Sequence, residues 1–268
     1  MSSDPTTRLR VDVALEYDFP APASVLFAIE ALDGQCQRVG QEALVVDGAL
    51  LPSAADVHDL ARYRWHEAGA GRLSLRYRAE VEVTRPRHAL ADLPATPLSA
   101  LPAEVAPFLL ASRYCTPQRF GAAVADLFGI APGVVADGST IAAMRDWVRE
   151  HLSYVQSSDW NTTAEDSFVT REGVCRDYAH LLIAFARAAN VPARFVSAYA
   201  WQLYPPDFHA VAEVYLDGAW RLIDATGMAP EDTLIRIAHT RDAIDASFMT
   251  IFGSAEMIDQ RVSVTAIN

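Results

Sequence analysis

The chain has 268 residues, a size for one large domain or two that can bury a core without disulfides or a structural metal. Its 22 basic and 34 acidic side chains give a formal charge of −12. That field repels phosphate and argues against nucleic acid or an anionic membrane surface as a partner. No apolar run reaches the ~18 residues of a membrane helix, and Met1-Ser2-Ser3-Asp4-Pro5 does not open a signal peptide. The cysteines number three and are widely spaced, which excludes a disulfide framework and suits a reducing compartment. The expectation is a cytoplasmic protein.

The first 90 residues read as strands. Leu9, Val11, Val13, Leu15 and Tyr17 alternate with Arg10, Asp12, Ala14 and Glu16, a period of two. Leu73 to Val83 alternates again after a turn at Gly69 to Gly71. Residues 25–31, 37–46 and 61–66 fit further strands, and together they predict a small antiparallel sandwich over residues 1–90. Pro86, Pro94, Pro97, Pro102 and Pro107 then crowd one segment. Proline lacks an amide donor, so a linker is predicted at 91–105. Helices follow: 119–128 ending at Gly129, one capped by Ser139 or Thr140 and running to about Leu152, and 175–189, stopping before Val191-Pro192. Strands return at 194–201, 209–216, 219–224 and 261–267.

One stretch has the makings of a reaction centre. In Gly173-Val174-Cys175-Arg176-Asp177-Tyr178-Ala179-His180 the cysteine falls in the first turn of a helix. Free amides and the positive dipole end favour thiolate there. A buried core cysteine fits the same local sequence equally well. A histidine must serve as base. His180 lies about 140° around the helix axis from Cys175 and so faces away. His209 opens a strand that runs to Leu216, turns at Asp217-Gly218 and returns through Ala219 to Asp224. With a two-residue turn, Leu216 pairs with Ala219 and Val211 stands opposite Asp224. His209 then shares a face with Asp224 as a diagonal neighbour, roughly 7–8 Å between backbones. That is the base and orienting half of a triad. Glu213 lies nearer the turn and reads as structural. Cys36 and Cys115 have no zinc spacing, and no glycine-rich phosphate loop follows a strand, so no metal or cofactor is expected.

These residues carry a resemblance. Gly173 to Leu181, Ile183-Ala184, Val191 to Ser197, His209-Ala210, Glu213-Val214-Tyr215, Trp220 and Asp224-Ala225-Thr226 resemble the core of the transglutaminase-like superfamily, in particular its bacterial cysteine-protease-like members. The likeness covers about residues 105 to 268. It implies an α+β fold: a papain-like core at 106–268, with the cysteine helix packed on an antiparallel sheet that carries histidine and aspartate, behind a β-domain. It implies Cys175 as nucleophile, His209 as base and Asp224 as the group that orients it. The implied chemistry is acyl transfer at an amide or peptide carbonyl through a thioester, ending in hydrolysis or transamidation. Peptide or protein amides would be the substrates. Tyr154, Gln156 and Trp160 are the candidates for a second oxyanion donor beside the Cys175 amide. The chain departs from the family in having Ala210-Val211 where an aromatic residue usually follows the histidine, and Ala225 where proline usually follows the aspartate. Two other classes stay open: a binding module with a decayed site, which predicts an unreactive Cys175, and a metal site of Cys175, His209 and Asp224.

Overall fold

The computed structural model describes residues 6–34, 36–52 and 60–267. Strands fill the first third: β1 (Thr6–Phe19), β2 (Ala23–Phe27), β3 (Gln37–Val46), β4 (Ala49–Leu51), β5 (Arg64–Ala68) and β6 (Gly71–Thr84). The middle is helical: α1 (Gly121–Phe128), α2 (Gly138–His151), α3 (Ala164–Thr170) and α4 (Cys175–Ala188), with the two-residue strands β7 (Ser153–Tyr154) and β8 (Glu172–Gly173) between them. The last third holds β9 (Ala193–Tyr199), β10 (Phe208–Leu216), β11 (Ala219–Ile223), β12 (Ile235–Thr240), β13 (Met249–Phe252) and β14 (Glu256–Ala266).

A four-stranded antiparallel sheet in the order β11-β10-β9-β12 carries α4 on one face. Ala210, Ala212, Val214 and Leu216 of β10 pack there with Leu181, Leu182 and Phe185 of α4 and Met144 and Val148 of α2. Burial of these side chains drives the assembly. On the other face Val211 meets Val196, Ala198, Leu222 and Leu234. A five-stranded sheet, β14-β1-β6-β3-β4, and a three-stranded sheet, β13-β2-β5, form the β-sandwich. The alternating side chains Leu9, Val11, Val13 and Leu15 fill its interior with Val25, Phe27 and Tyr77. Tyr199, Ile235 and Ile237 of the central sheet join this same interior.

The structure departs from the sequence reading in several places. Strand β14 pairs with β1 from Leu9–Ala266 to Asp18–Glu256, and β13 pairs with β2. A boundary at residue 90 therefore runs between strands that share sheets. Strands β12 and β13 and helix α3 went unread. In β12 Arg236 and His239 are buried beside Ile235 and Ile237, so no polar alternation marks the strand. Helix α2 is capped by Asp137, whose carboxylate accepts from the Thr140 amide at 3.0 Å, and not by Ser139 or Thr140.

The proline-rich segment is a strap with hydrogen-bonded backbone. The Leu93 carbonyl accepts from the Gly138 amide at 2.8 Å, and the Pro94 carbonyl accepts from the Asp217 amide at 3.1 Å. The Thr96 hydroxyl accepts from the Gly218 amide at 3.1 Å. Proline removes donors but leaves carbonyls, and it is the carbonyls that bind here. The approach is close: a Cβ on Gly138 would lie 1.9 Å from the Leu90 carbonyl oxygen. Alanine ordinarily favours a helix over glycine. Here Gly138→Ala should lower stability by about 2–4 kcal/mol in urea denaturation, since either the strap or the helix has to move.

Candidate active site

Helix α4 begins at Cys175. Its start is held by Asp177, which is buried and accepts from the Val174 amide at 2.9 Å. This is half of a capping box, because Val174 offers no side-chain acceptor in return. Arg176 donates to Asp177 (2.9 Å) and also to the Ser158 hydroxyl and the Asp159 carbonyl, so it clamps the loop after β7 against the helix start. A Cβ on Gly173 would lie 2.6 Å from Cβ of Asp177. Glycine is needed at this position for Asp177 to reach back.

The parallel pair of β7 and β8 sets Tyr154 beside Gly173. The Tyr154 hydroxyl accordingly lies near Cys175, close enough for the two groups to act on each other's charge. Burial, with the Cys175 sulfur next, raises the phenol well above its ordinary pKa. No such contact ties Gln156 or Trp160 to Cys175 among the described residues. Trp160 is exposed, with the Arg113 guanidinium over its ring at 5.1 Å.

The hairpin of β10 and β11 has the register expected from its turn. Leu216 pairs with Ala219 and Ala212 with Ile223. Asp217 and Gly218 both take positive φ, 51° and 68°, as a two-residue hairpin turn of this type requires. Asp224 follows the end of β11, and its Oδ2 lies 3.0 Å from Nε2 of His209, with both side chains buried. Cys175 lies near enough to the same imidazole to favour its charged form. One ring thus pairs with a carboxylate and neighbours a thiol. Burial pushes the His209 pKa down, but the bond to Asp224 and the neighbouring Cys175 outweigh it and bring it up to about 10.

Asp224 is itself immobilised. Oδ1 accepts from the Thr226 amide (2.9 Å) and hydroxyl (2.7 Å), and Oδ2 also accepts from the Ala229 amide (3.0 Å). Burial pushes its pKa up, yet the bonds from His209, Thr226 and Ala229 hold it below the usual carboxylate range. The Asp224 amide donates to Glu231 (2.8 Å), and Arg149 of α2 donates to its carbonyl (2.8 Å). Thr226, Ala229, Glu231 and Arg149 escaped the sequence reading. A threonine two residues after an aspartate was the available signal, since an Asx-type turn makes that contact.

The other histidine of the motif is a core residue. His180 stacks on Tyr114 at 4.9 Å between centroids, and its Nε2 accepts from the Ala243 amide at 3.2 Å. Burial takes its pKa down to about 3. Cys115 is buried in the same core, and burial pushes its thiol up to about 12. No cluster of three or more His, Cys, Asp or Glu suited to a metal ion occurs among the described residues. No helix there is long and apolar enough to cross a membrane.

Comparison with known proteins agrees with this architecture. The sequence model of the Transglutaminase-like superfamily matches residues 129–225, which include all of α4, β9 and the β10–β11 hairpin. The crystal structure of a putative cysteine protease from Cytophaga hutchinsonii superposes with a TM-score of 0.90 at 30% identity, over 100% of this chain and 93% of that one. The chain belongs to the transglutaminase-like superfamily. An uncharacterized protein of Mycobacterium leprae is 26% identical over 121 residues, 41% of this chain and 42% of that protein, so the match spans less than half of that relative. The periplasmic domain of TgpA from Pseudomonas aeruginosa gives a TM-score of 0.43 at 17% identity, over 85% of this chain and 91% of that one.

Two departures from the family pattern have local explanations. Ala210 points into the interior beneath α4, and Ala225 is buried there too. The loop that fixes Asp224 relies on Thr226 and Ala229 rather than on a proline.

The raised pKa of His209 gives a pH expectation. A group whose folded pKa exceeds its unfolded value, here 6.5, contributes stability that is complete below that value and is lost as pH rises through about 10. In ¹⁵N spectra His209 should stay protonated at both ring nitrogens from pH 6 to 8. A titration midpoint near 6.5 would show that neither Asp224 nor Cys175 holds the proton.

Proposed function

We propose that the protein is an acyl-transfer enzyme acting on peptide or protein amides, with Cys175 as nucleophile, His209 as acid and base, and Asp224 as its positioning partner. The observation that carries this reading is the buried His209–Asp224 pair beside Cys175 at a helix start. A thiolate beside an imidazolium is the attacking pair that such chemistry needs. The Cys175 sulfur adds to the amide carbon and the carbonyl oxygen takes the negative charge. His209 passes its proton to the departing nitrogen as the C–N bond breaks, leaving a thioester. Water or an amine then gives a proton to His209 and attacks the thioester carbon, and expulsion of the sulfur restores the ion pair.

Tyr154 is favoured as the second oxyanion donor. Its hydroxyl lies near Cys175, which would set a second donor beside the Cys175 amide. A thioester sulfur is a poorer acceptor than a thiolate, so acylation releases the hydroxyl toward the oxyanion. Tyr154→Phe should cut turnover by about 10²-fold while KM changes little.

The primary test is thiol labelling followed by peptide mapping. Iodoacetamide at pH 6 should label Cys175 far faster than Cys36 or the buried Cys115. His209→Ala should remove that difference, and His180→Ala should leave it. Slow, equal labelling of all three cysteines in the folded protein would favour a binding module with a decayed site. The sequence contains no lysine. Any isopeptide product in a transamidation assay must therefore draw its side-chain amine from the added acceptor, which makes hydrolysis and transamidation separable on one sample.

Asp224→Asn retains the size but loses the charge that favours the imidazolium. Turnover should fall by about 10³–10⁴-fold, comparable to the loss for the equivalent change in serine proteases. Thermal or urea unfolding should reveal a further loss of about 1–3 kcal/mol, because an amide cannot accept from Thr226, Ala229 and His209 together. Normal turnover in this variant would remove Asp224 from the mechanism.

A further inference from the structure

A cavity of about 440 Å³ lies along the β11 edge of the central sheet. Arg85, Arg221 and Arg236 line it together with Trp220, Leu90 and Leu93. That volume is typical of small-molecule sites. Cys175, His209 and Asp224 are not in its wall.

Its charge is unbalanced. Arg85 is 9% exposed. Its terminal nitrogens donate only to the carbonyls of Glu231 and Leu234, at 2.7 to 3.2 Å. Its Nε is buried without a partner, and no carboxylate lies within ion-pair distance of it among the described residues. Arg221 likewise buries an Nε without a partner, and its ion pair with Asp217 is long, at 3.6 Å. Arg236 and Arg194 both pair with the buried Glu213. The two acids in the wall are already engaged: Glu231 accepts from the Asp224 amide and Asp232 takes Arg87. A buried cation without a counter-charge is costly, and burial accordingly brings Arg85 down to about 10.

We infer that this cavity binds a small anion, a carboxylate carried on an apolar body. Guanidinium groups present paired donors that match a carboxylate. Leu90, Leu93 and the ring of Trp220 cover a hydrocarbon or aromatic frame, which inorganic phosphate does not have.

The test uses 4-phenylbutyrate, its neutral amide and inorganic phosphate as probes, in calorimetric titration and thermal shift on the full chain. Phenylbutyrate should bind with Kd of about 1 mM or tighter, at least tenfold better than either other probe, at one site per chain. Arg221→Glu reverses a charge on a partly exposed side chain and should abolish that binding with the melting transition intact. Arg85→Met should do the same, and Arg221→Glu keeps the test valid should Arg85→Met fail to fold. Equal binding of phenylbutyrate and the amide would overturn the proposal in favour of a merely apolar cleft. Equal binding of phosphate would overturn the apolar half of it. No binding of phenylbutyrate by the folded wild type, or binding unchanged in Arg221→Glu, would overturn it entirely.

Discussion

Everything at the candidate site depends on the register of one hairpin. Side chains in a strand alternate between faces, so a slip of one residue would turn His209 away from Asp224. The register is set by two residues, Asp217 and Gly218, in backbone conformations that most residues avoid. That turn is not left to itself. The strap after β6 grips both of its amides, through the Pro94 carbonyl and the Thr96 hydroxyl. The same strap is anchored to α2 at Gly138, and α2 in turn supplies Arg149 to the Asp224 carbonyl. A segment of little regular structure thus ties the turn of the hairpin to the helix that braces its far end.

The helix start and the hairpin are built on different logic. At Cys175 the backbone amides stay available because the cap is made by Asp177 reaching back and not by a side chain at Val174. At Asp224 the reverse holds: the carboxylate is saturated by short-range donors from Thr226 and Ala229. A reactive group needs unfilled neighbours, and a positioning group needs filled ones. The two halves meet through one imidazole ring.

Much of this was legible in the sequence for local reasons. The alternation in β1 and β6 reports one face in the interior, and the Asp217-Gly218 turn predicts the Leu216–Ala219 pairing directly. The angle argument that turned His180 away from Cys175 needs only helix geometry, and His180 lies in the core beside Tyr114. What stayed hidden was non-local or buried on both sides. Strand β12 carries Arg236 and His239 inward, Arg236 onto the Glu213 carboxylate, so its polarity reads as loop. The pairing of β1 with β14 joins residues more than two hundred positions apart, and no pattern in either strand names the other. Tyr154 stands apart from Gln156 and Trp160 only through the β7–β8 pairing, which is two residues long.

The pairing of β1 with β14 also has a consequence during synthesis. Strand β1 finds β6 early, but its other edge waits for a partner that is made after the helices and the central sheet. At about 5–20 residues per second, that wait is on the order of 10–50 s. Through this interval the nascent chain presents a long unpaired edge, open to pairing with the same strand of a neighbouring chain on one message. The outward-facing charges Arg10, Asp12 and Glu16 lie along that edge. They give the waiting strand a surface that resists such pairing until its own last strand arrives.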